Sequence, residues 1–505
     1  MMRKRVLKPF PLLLFLLIFG IIFWTINCSS GKKSDITTVL KTTVDRDSLI
    51  SQLDKNIPQI MEKAMIPGLS IAVIRDGELL WTKGFGVKNV ETKEPVTHET
   101  VYEAASFSKP VYAYAVLKLV EKGELDLDKP LIEYVSDEYI EENYLDRKID
   151  DERFRKITTR MVLTHTTGFP NWRGRDSLKI NFKPGEKFSY SGEGFGYLQK
   201  VVEKVSGLSL NEFMKKEVFD SLSMTSSSYV WQESYDENTS YPHSMMQEVG
   251  KKRKKIRDHA AASLHTTITD FAKFIMAIMN HTGLQPSTIE SMLTPQVIVD
   301  PEDTKNVVWG LGVGLQKTHH GISYWHWGDN GNFKCFFVAF PQQKIGVVYF
   351  TNSFFGLAVR KQIVELAIGG EHPVMNSQLL VSYGDMDSPG MEFTRTLVRD
   401  GVDAAIEKYH HIRDTLSAKD IMPEYAMNGI GYEFMRKKQF QNAIKIFKLN
   451  VKAYPKSYNV YDSLGEAYME NGDKELAIEN YEKSLELNPD NENGRMMLKK
   501  LGKAG

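Results

Sequence analysis

The chain has 505 residues, 64 Lys and Arg against 64 Asp and Glu, and 42% hydrophobic with 25% charged residues. This balance excludes a disordered chain and a basic nucleic-acid binder, and the length exceeds what one core organises, so roughly two or three domains are expected. Two cysteines, Cys28 and Cys335, exclude a disulfide framework.

Arg3, Lys4, Arg5 and Lys8 precede an apolar run from Phe10 to Ile26. Residues 1–27 therefore read as an export signal or an N-terminal membrane anchor, which places the rest of the chain outside the inner membrane. Cys28, followed by Ser29, Ser30 and Gly31, is a candidate for lipidation of the bacterial lipoprotein kind, although Thr25 and Asn27 depart from the usual cleavage box. An uncleaved anchor is the alternative. Residues 28–48 are a polar tether, and Leu49 to Met65 an amphipathic helix. Leu69 to Ile74 and Leu79 to Phe85 form a hairpin around Asp76-Gly77, a strong two-residue turn signal. From about Glu99 to Asn280 the pattern is helical and loop-like. Strand runs return at Gly310 to Gln316, Ile322 to Trp327, Phe333 to Phe340 and Lys344 to Thr351, before a helix from Leu357 to Ile368. The fold class is α+β: an antiparallel sheet built from both ends of residues 49–370, flanked by terminal helices, with an all-helical insertion and a cleft between the two.

Within the insertion, Ser106-Phe107-Ser108-Lys109 precedes a helical run from Pro110 to Val120, which sets Ser106 at a helix start. A serine hydroxyl is a poor nucleophile until a base takes its proton, and a residue three positions on shares its helix face. Lys109 thus points toward Ser106, and backbone N–H groups there are available to a developing oxyanion. Ser29 and Ser30 also have a lysine three residues on, so the tetrad alone decides little. Further along, Tyr190 lies between the Lys183-Pro184-Gly185 turn and Gly192, where backbone can pass close to a ligand. His326, in Tyr324-Trp325-His326-Trp327-Gly328, closes an apolar strand.

In this order the four residues resemble the serine β-lactamase and penicillin-binding-protein superfamily, nearest its class C, esterase and D-aminopeptidase-like branch. Val162-Leu163-Thr164-His165-Thr166-Thr167-Gly168-Phe169-Pro170 and Ala260-Ala261-Ala262-Ser263-Leu264-His265-Thr266-Thr267 resemble two further blocks of that branch. The resemblance implies Ser106 as the acylated nucleophile and Lys109 as its proton partner. Tyr190 would be base for acylation and then acid toward the leaving group. His326 would stand in for the lysine of Lys-Thr-Gly, and the backbone N–H groups of Ser106 and Asp329 would form the oxyanion hole. Gly192, Trp327 and Gly328 would meet substrate. The resemblance implies no cofactor and no metal. Gly192 replaces the asparagine of Tyr-x-Asn, and His326 replaces a permanent cation with a group of pKa roughly 6.5. Both departures argue against an efficient β-lactamase.

His165 and His265 read as turn-organising residues. His319, His320, His410 and His411 lack metal-ligand spacing. Alternation puts Trp325 and Trp327 opposite His326. The Lys251 to Lys255 run reads as a solvated loop. Beyond a linker, 371–390, residues 391–505 carry helical repeats. Positions 424–457 and 458–491 align at 34 residues, pairing Gly431 with Gly465 and Ala443 with Ala477, as in the tetratricopeptide pattern. Phe393 to Leu416 is a divergent first hairpin, and Gly494 to Leu501 a cap.

Two functions follow from these readings. One is an exported serine hydrolase acting through an acyl-enzyme on small esters, amides or D-amino-acid peptides. The other is a catalytically weak module whose main role is assembly through the repeats. The partners expected are a small-molecule or peptide substrate, a protein or peptide at the repeats, and the membrane at the N-terminus, with no nucleic acid.

Overall fold

The computed structural model describes residues 39–503 apart from 175, 176, 302 and 303. The expected signal or anchor and Cys28 lie outside the described residues. Among the described residues no helix is long and apolar enough to cross a membrane.

The strands are β1 (Gly68–Arg75), β2 (Glu78–Gly86), β3 (Tyr102–Glu103), β4 (His265–Thr266), β5 (Val297–Asp300), β6 (Thr304–Trp309), β7 (Gly314–Thr318), β8 (Gly321–Asp329), β9 (Lys334–Phe340) and β10 (Ile345–Thr351). Eight of them form one sheet in the order β2-β1-β10-β9-β8-β7-β6-β5, while β3 and β4 pair separately. Neighbouring strands run antiparallel, so the sheet joins the two ends of the domain through the β1 and β10 pairing. Asp76 and Gly77, at φ 56° and 76°, make the β1–β2 turn in the left-handed geometry that suits a twisted hairpin.

Alternation along the strands builds two cores. Ile345, Val347 and Tyr349 of β10 face one cluster with Leu49, Leu53, Ile57 and Met61, the apolar stripe of the Arg46–Lys63 helix. Val348 and Phe350 face the other, with the Ser108–Glu121 helix and the Ile268–Met279 helix. Because both faces are covered, β9 and β10 are buried along their whole length, which is why they stand out in the sequence as unbroken apolar runs. The same physics hid β5 and β6. β5 is an edge strand between Pro295 and Pro301 with Ile298 exposed, and its apolar run, Val297 to Val299, is only three residues long. The strand expected from Gly310 begins at Gly314 instead, because Gly312, at φ 84°, turns the chain first.

Two boundary expectations need correction. The segment 371–390, expected as a linker, is packed: Val374, Met375 and Leu380 belong to the core behind β10. The buried Arg360 guanidinium donates to the carbonyls of Met375 (3.0 Å) and Gly384 (2.7 Å). The tether, expected to run to residue 48, is anchored by Leu40, which is buried, and by Lys41, whose N–H donates to Ile368 O at 2.8 Å. The repeats follow as helical hairpins: Pro389–Asp400 with Val402–Arg413, Glu424–Arg436 with Phe440–Ala453, and Tyr458–Asn471 with Lys474–Leu487. A last helix spans Glu492–Lys500. Small residues let the paired helices close up, since a Cβ on Gly431 would lie 2.3 Å from the Phe447 ring and one on Gly465 3.2 Å from Tyr481. The array rests on the first domain through Met245, Phe354 and Phe355 and through Ser244 Oγ, which donates to Glu433 at 2.6 Å.

Candidate active site

Between β3 and the Ser108–Glu121 helix the chain makes a single 3₁₀ turn, Ala105–Phe107, with Ala105 at φ 49°. A side chain in the left-handed region costs energy and persists only where its surroundings hold it. Ser108 supplies that hold: its Oγ donates to Ala105 O (2.6 Å) and accepts from Leu264 N–H (3.0 Å). Phe107 drives into the core against Phe271, 4.3 Å between ring centres. Ser106 alone in this turn is left half-buried, and its hydroxyl accepts from Lys109.

Lys109 Nζ lies 3.1 Å from Ser106 Oγ and 2.9 Å from Ala261 O. Neither partner is a carboxylate, and the amine is fully buried, so desolvation lowers its pKa to about 7. The rings of Tyr190, Phe195 and Trp172 stand 4.8, 5.8 and 6.0 Å from it. Tyr190 is delivered by the Val162 to Pro170 block. Ser189 N–H donates to His165 O (2.8 Å) and Ser191 N–H to His165 Nδ1 (3.0 Å), so this histidine fixes the backbone on both sides of the tyrosine. Burial raises the Tyr190 pKa, and the neighbouring Ser106 hydroxyl offsets part of that rise. The phenol makes no fully formed hydrogen bond. His265 plays a local part in β4, with Nδ1 against Ser263 O at 3.0 Å.

His326 lies on the cleft side of β8, its ring 6.2 Å from Tyr190. Its Nδ1 sits 2.7 Å from Trp327 O, which makes Nδ1 the N–H donor and leaves Nε2 a buried acceptor without a partner. Burial, then the Lys109 charge, lower its pKa to about 3. Burial thus displaces the expected titration near 6.5 downward and favours the neutral imidazole at neutral pH. Trp325 and Trp327 face the opposite core, but Trp327 also meets the Tyr190 ring at 4.8 Å. Gly328 has no room beside it, since a Cβ there would lie 2.4 Å from Cys335 Sγ and 2.7 Å from Ala104 O. This contact presses the end of β8 against the turn that carries Ser106. Asp329 follows, its carboxylate taken by Lys334 and by Gly331 N–H (2.8 Å).

Three features escaped the sequence reading. Trp172 covers Gly192, with ring atoms 2.6 Å from where a Cβ would be, so an indole fills the place of the absent side chain. It is held by neighbours pinned to the start of the Gly192–Ser206 helix: Asn171 Oδ1 accepts from Gly192 N–H (3.0 Å), and Arg173 pairs with Glu193 (2.7 Å). The only hint in the sequence was a tryptophan in a short polar loop after Pro170. Second, the basic run was expected to be solvated, yet Arg253 and Lys255 pair with the buried Glu103 at 2.9 and 3.2 Å. Glu103 also accepts from Asn330 Nδ2 (2.9 Å), which ties the turn after β8 to β3. Third, Tyr383, from the expected linker, accepts from Trp327 Nε1 (3.2 Å).

Residues 53–367 match the family model described as Beta-lactamase, and residues 463–491 match Tetratricopeptide repeat. The chain belongs to the beta-lactamase family. Its members share the penicillin-binding-protein fold and are serine hydrolases. The beta-lactamase-type chain is 25% identical over 322 residues to Protein flp of Staphylococcus aureus strain N315, an alignment covering 60% of this chain and 62% of that one. A shorter stretch, 122 residues at 34% identity, matches the serine beta-lactamase-like mitochondrial protein LACTB of Bos taurus, 24% of this chain and 20% of that one. Among solved structures, an octameric penicillin-binding protein homologue from Pyrococcus abyssi superposes with a TM-score of 0.53 at 26% identity, over 69% of this chain and 81% of that one. The D-alanine carboxypeptidase AmpC of Burkholderia cenocepacia shares the fold, with a TM-score of 0.54 at 19% identity over 64% and 98%. Among the described residues no group of three or more His, Cys, Asp or Glu side chains is placed to hold a metal ion.

Proposed function

We propose that this beta-lactamase-family chain hydrolyses small neutral esters or amides, D-amino-acid derivatives among them, through an acyl-enzyme at Ser106. The observation that carries the reading is the 3.1 Å contact between Ser106 Oγ and a Lys109 amine whose pKa is lowered to about 7. An amine poised near working pH is suited to take the serine proton as Oγ attacks the substrate carbonyl. The oxyanion would lie between the backbone N–H groups of Ser106 and Asp329. Tyr190, whose raised pKa keeps it protonated, is suited to give its proton to the leaving group and recover one from Lys109. Water then resolves the ester, with Lys109 again accepting the proton. In this division of labour Tyr190 acts as acid and Lys109 as base.

The substrate class follows from what surrounds Ser106. A neutral His326 offers an acceptor where a carboxylate-ended substrate would want a cation, and Trp172 occupies the place of a polar amide. Neutral carbonyl compounds fit this lining better than penicillins or D-alanine-ended peptides. The test is intact-protein mass spectrometry after a fluorophosphonate probe and, separately, after a penicillin. Labelling that maps to Ser106 and disappears in Ser106→Ala supports the reading, and labelling retained by that variant removes Ser106 as nucleophile. The penicillin is expected to leave little adduct.

The assembly role remains a second reading, carried by the tetratricopeptide match. The N-terminal Arg and Lys cluster ahead of the Phe10 to Ile26 run supports export with anchoring outside the inner membrane. Cell fractionation with and without Cys28→Ala separates a lipid anchor, which that change releases, from an uncleaved helix, which it does not.

A further inference from the structure

Trp172 is the only tryptophan among the described residues that is left exposed, at 48%. An exposed ring on a free loop would need no explanation, but this one is fixed in place. The residues on both sides of it are pinned to the start of the Gly192–Ser206 helix. Asn171 O accepts from Gly192 N–H (3.1 Å) and Glu193 N–H (3.2 Å), and Arg173 N–H donates to Glu193 Oε1 (3.1 Å). Glu193 also holds the Arg173 guanidinium and accepts from Tyr144 Oη at 3.0 Å. Three consecutive atoms of the indole six-membered ring lie 2.6, 2.8 and 2.9 Å from the place of a Gly192 Cβ, so the ring lies flat on the bare glycine Cα. The His259 ring meets it edge-on, 5.3 Å between centres and 67° between planes.

The same ring belongs to the surroundings of the nucleophile. Of the three aromatic rings near the Lys109 amine, that of Phe195 is fully buried and that of Tyr190 is packed against His165 and Trp327. Trp172 is the exposed member of the set, and Ser106 is half-buried beside the same amine. With 3.1 Å from hydroxyl to amine and 6.0 Å from amine to ring centre, a benzyl-sized group on a carbonyl held at Ser106 spans the distance to the indole. An immobile π-face at that distance loses little entropy on meeting a second ring. We propose that Trp172 is a specificity-determining residue, the platform on which an aromatic ring of the substrate stacks, and that Gly192 is bare so that the platform can lie there. The inference rests on the serine-hydrolase reading above and narrows its substrate class to neutral esters or amides with an aryl group close to the reacting carbonyl.

The experiment follows proton release by the full chain from methyl phenylacetate and from its isomer benzyl acetate, which carry the ring on the acyl and on the alcohol side. The matching cyclohexyl esters supply a ring of similar size without a π-face. Each kcat/KM is taken relative to methyl acetate in the same protein, so that a general change in turnover cancels. In the wild type at least one aryl ester is expected to exceed its cyclohexyl counterpart by about two- to tenfold, and the preferred isomer names the half of the ester that meets the indole. Trp172→Phe, which keeps a flat ring, should retain part of this preference, and Trp172→Leu should abolish it. Gly192→Ala should abolish it as well, because the added methyl lifts the ring, and combining it with Trp172→Leu should cost nothing further. Labelled Ser106 with no aryl preference, or a preference that survives Trp172→Leu, overturns the platform and leaves the hydrolase reading standing. No labelling at Ser106 sinks the hydrolase reading and the platform with it.

Discussion

The hydrolase domain and the repeat array both bury polar side chains, but they distribute them differently. Around Ser106 the unpartnered atoms converge: Tyr190 Oη, His326 Nε2 and His165 Nε2 belong to rings of which that of Tyr190 stands 4.3 Å from His165 and 6.2 Å from His326, next to a buried amine. In the repeats the unpartnered atoms, such as Tyr409 Oη, Asn450 Oδ1 and Tyr481 Oη, sit on separate helices. Other buried polar groups of the array are paired, as where Asn491 donates to Asp462 (2.5 Å) and to Ser484 (2.9 Å). Each unmet group costs roughly 1–3 kcal/mol, so a cluster of them is retained where something other than stability requires it. The array shows no such concentration and reads as a scaffold.

The largest expected effect separates the two regions physically. A chain ending at Gly370 would remove Val374 and Leu380 from the core and two of the carbonyls that hold the buried Arg360 guanidinium, and each buried donor left unpaired costs about 1–3 kcal/mol. That truncation is expected to be insoluble, whereas one ending at Ser388 should fold and still turn over p-nitrophenyl acetate. Circular dichroism and turnover of both proteins decide this, and a folded chain ending at Gly370 would show the 371–390 segment to be dispensable. Next come the site residues. Tyr190→Phe should lower acetate turnover by roughly 10²–10⁴-fold with little change in melting temperature. In the wild type kcat/KM should rise with pH and level off above about 7, as Lys109 loses its proton. A profile that falls across this interval would assign the protonated lysine to the chemistry instead.

Legibility followed the same division. The repeats were readable from their 34-residue period because each helix contacts its sequence neighbours, and Gly431 or Gly465 carries its meaning in one local spacing. The nucleophile turn, Tyr190 and the β8 strand were readable as local motifs, each needing only the fold to bring it to the others. What stayed hidden depends on distant segments. Trp172 over Gly192, Glu103 under Arg253, and Tyr383 against Trp327 are contacts between residues 20, 150 and 56 positions apart. No periodicity marks them. The edge strand β5 was missed for a simpler reason, since its four residues, Val297 to Asp300, are too few to set a period and lie between two prolines. His326 was legible in place but not in charge, because its pKa is set by burial that a sequence does not display.

A smaller effect tests the scaffold side. Gly431→Val would push a side chain into the Phe447 ring, and overpacking of this kind costs about 1–3 kcal/mol. The melting temperature should fall while acetate turnover at 25 °C holds, the reverse of Tyr190→Phe. If turnover falls in step with stability, the two regions unfold as one cooperative unit and the separation drawn here applies to chemistry alone.

The smallest expected effect concerns His326, where the interest lies in a change that does not occur. Its folded-state pKa of about 3 lies below the ordinary histidine value, so the ring is neutral throughout the interval in which the Lys109 amine becomes a base. The ratio of kcat/KM for p-nitrophenyl butanoate to that for the anionic p-nitrophenyl hemisuccinate should therefore stay within about twofold between about pH 6 and about pH 9. Lys109 titration acts on both substrates and cancels in the ratio. His326→Lys should do little for the anion as well. An amine at this fully buried position, beside Lys109, meets both desolvation and like charge, and each favours its neutral form. A ratio that swings toward the hemisuccinate with a midpoint near 6 to 7 would mean that water reaches His326 in the working enzyme and that its imidazolium reads the substrate's charge.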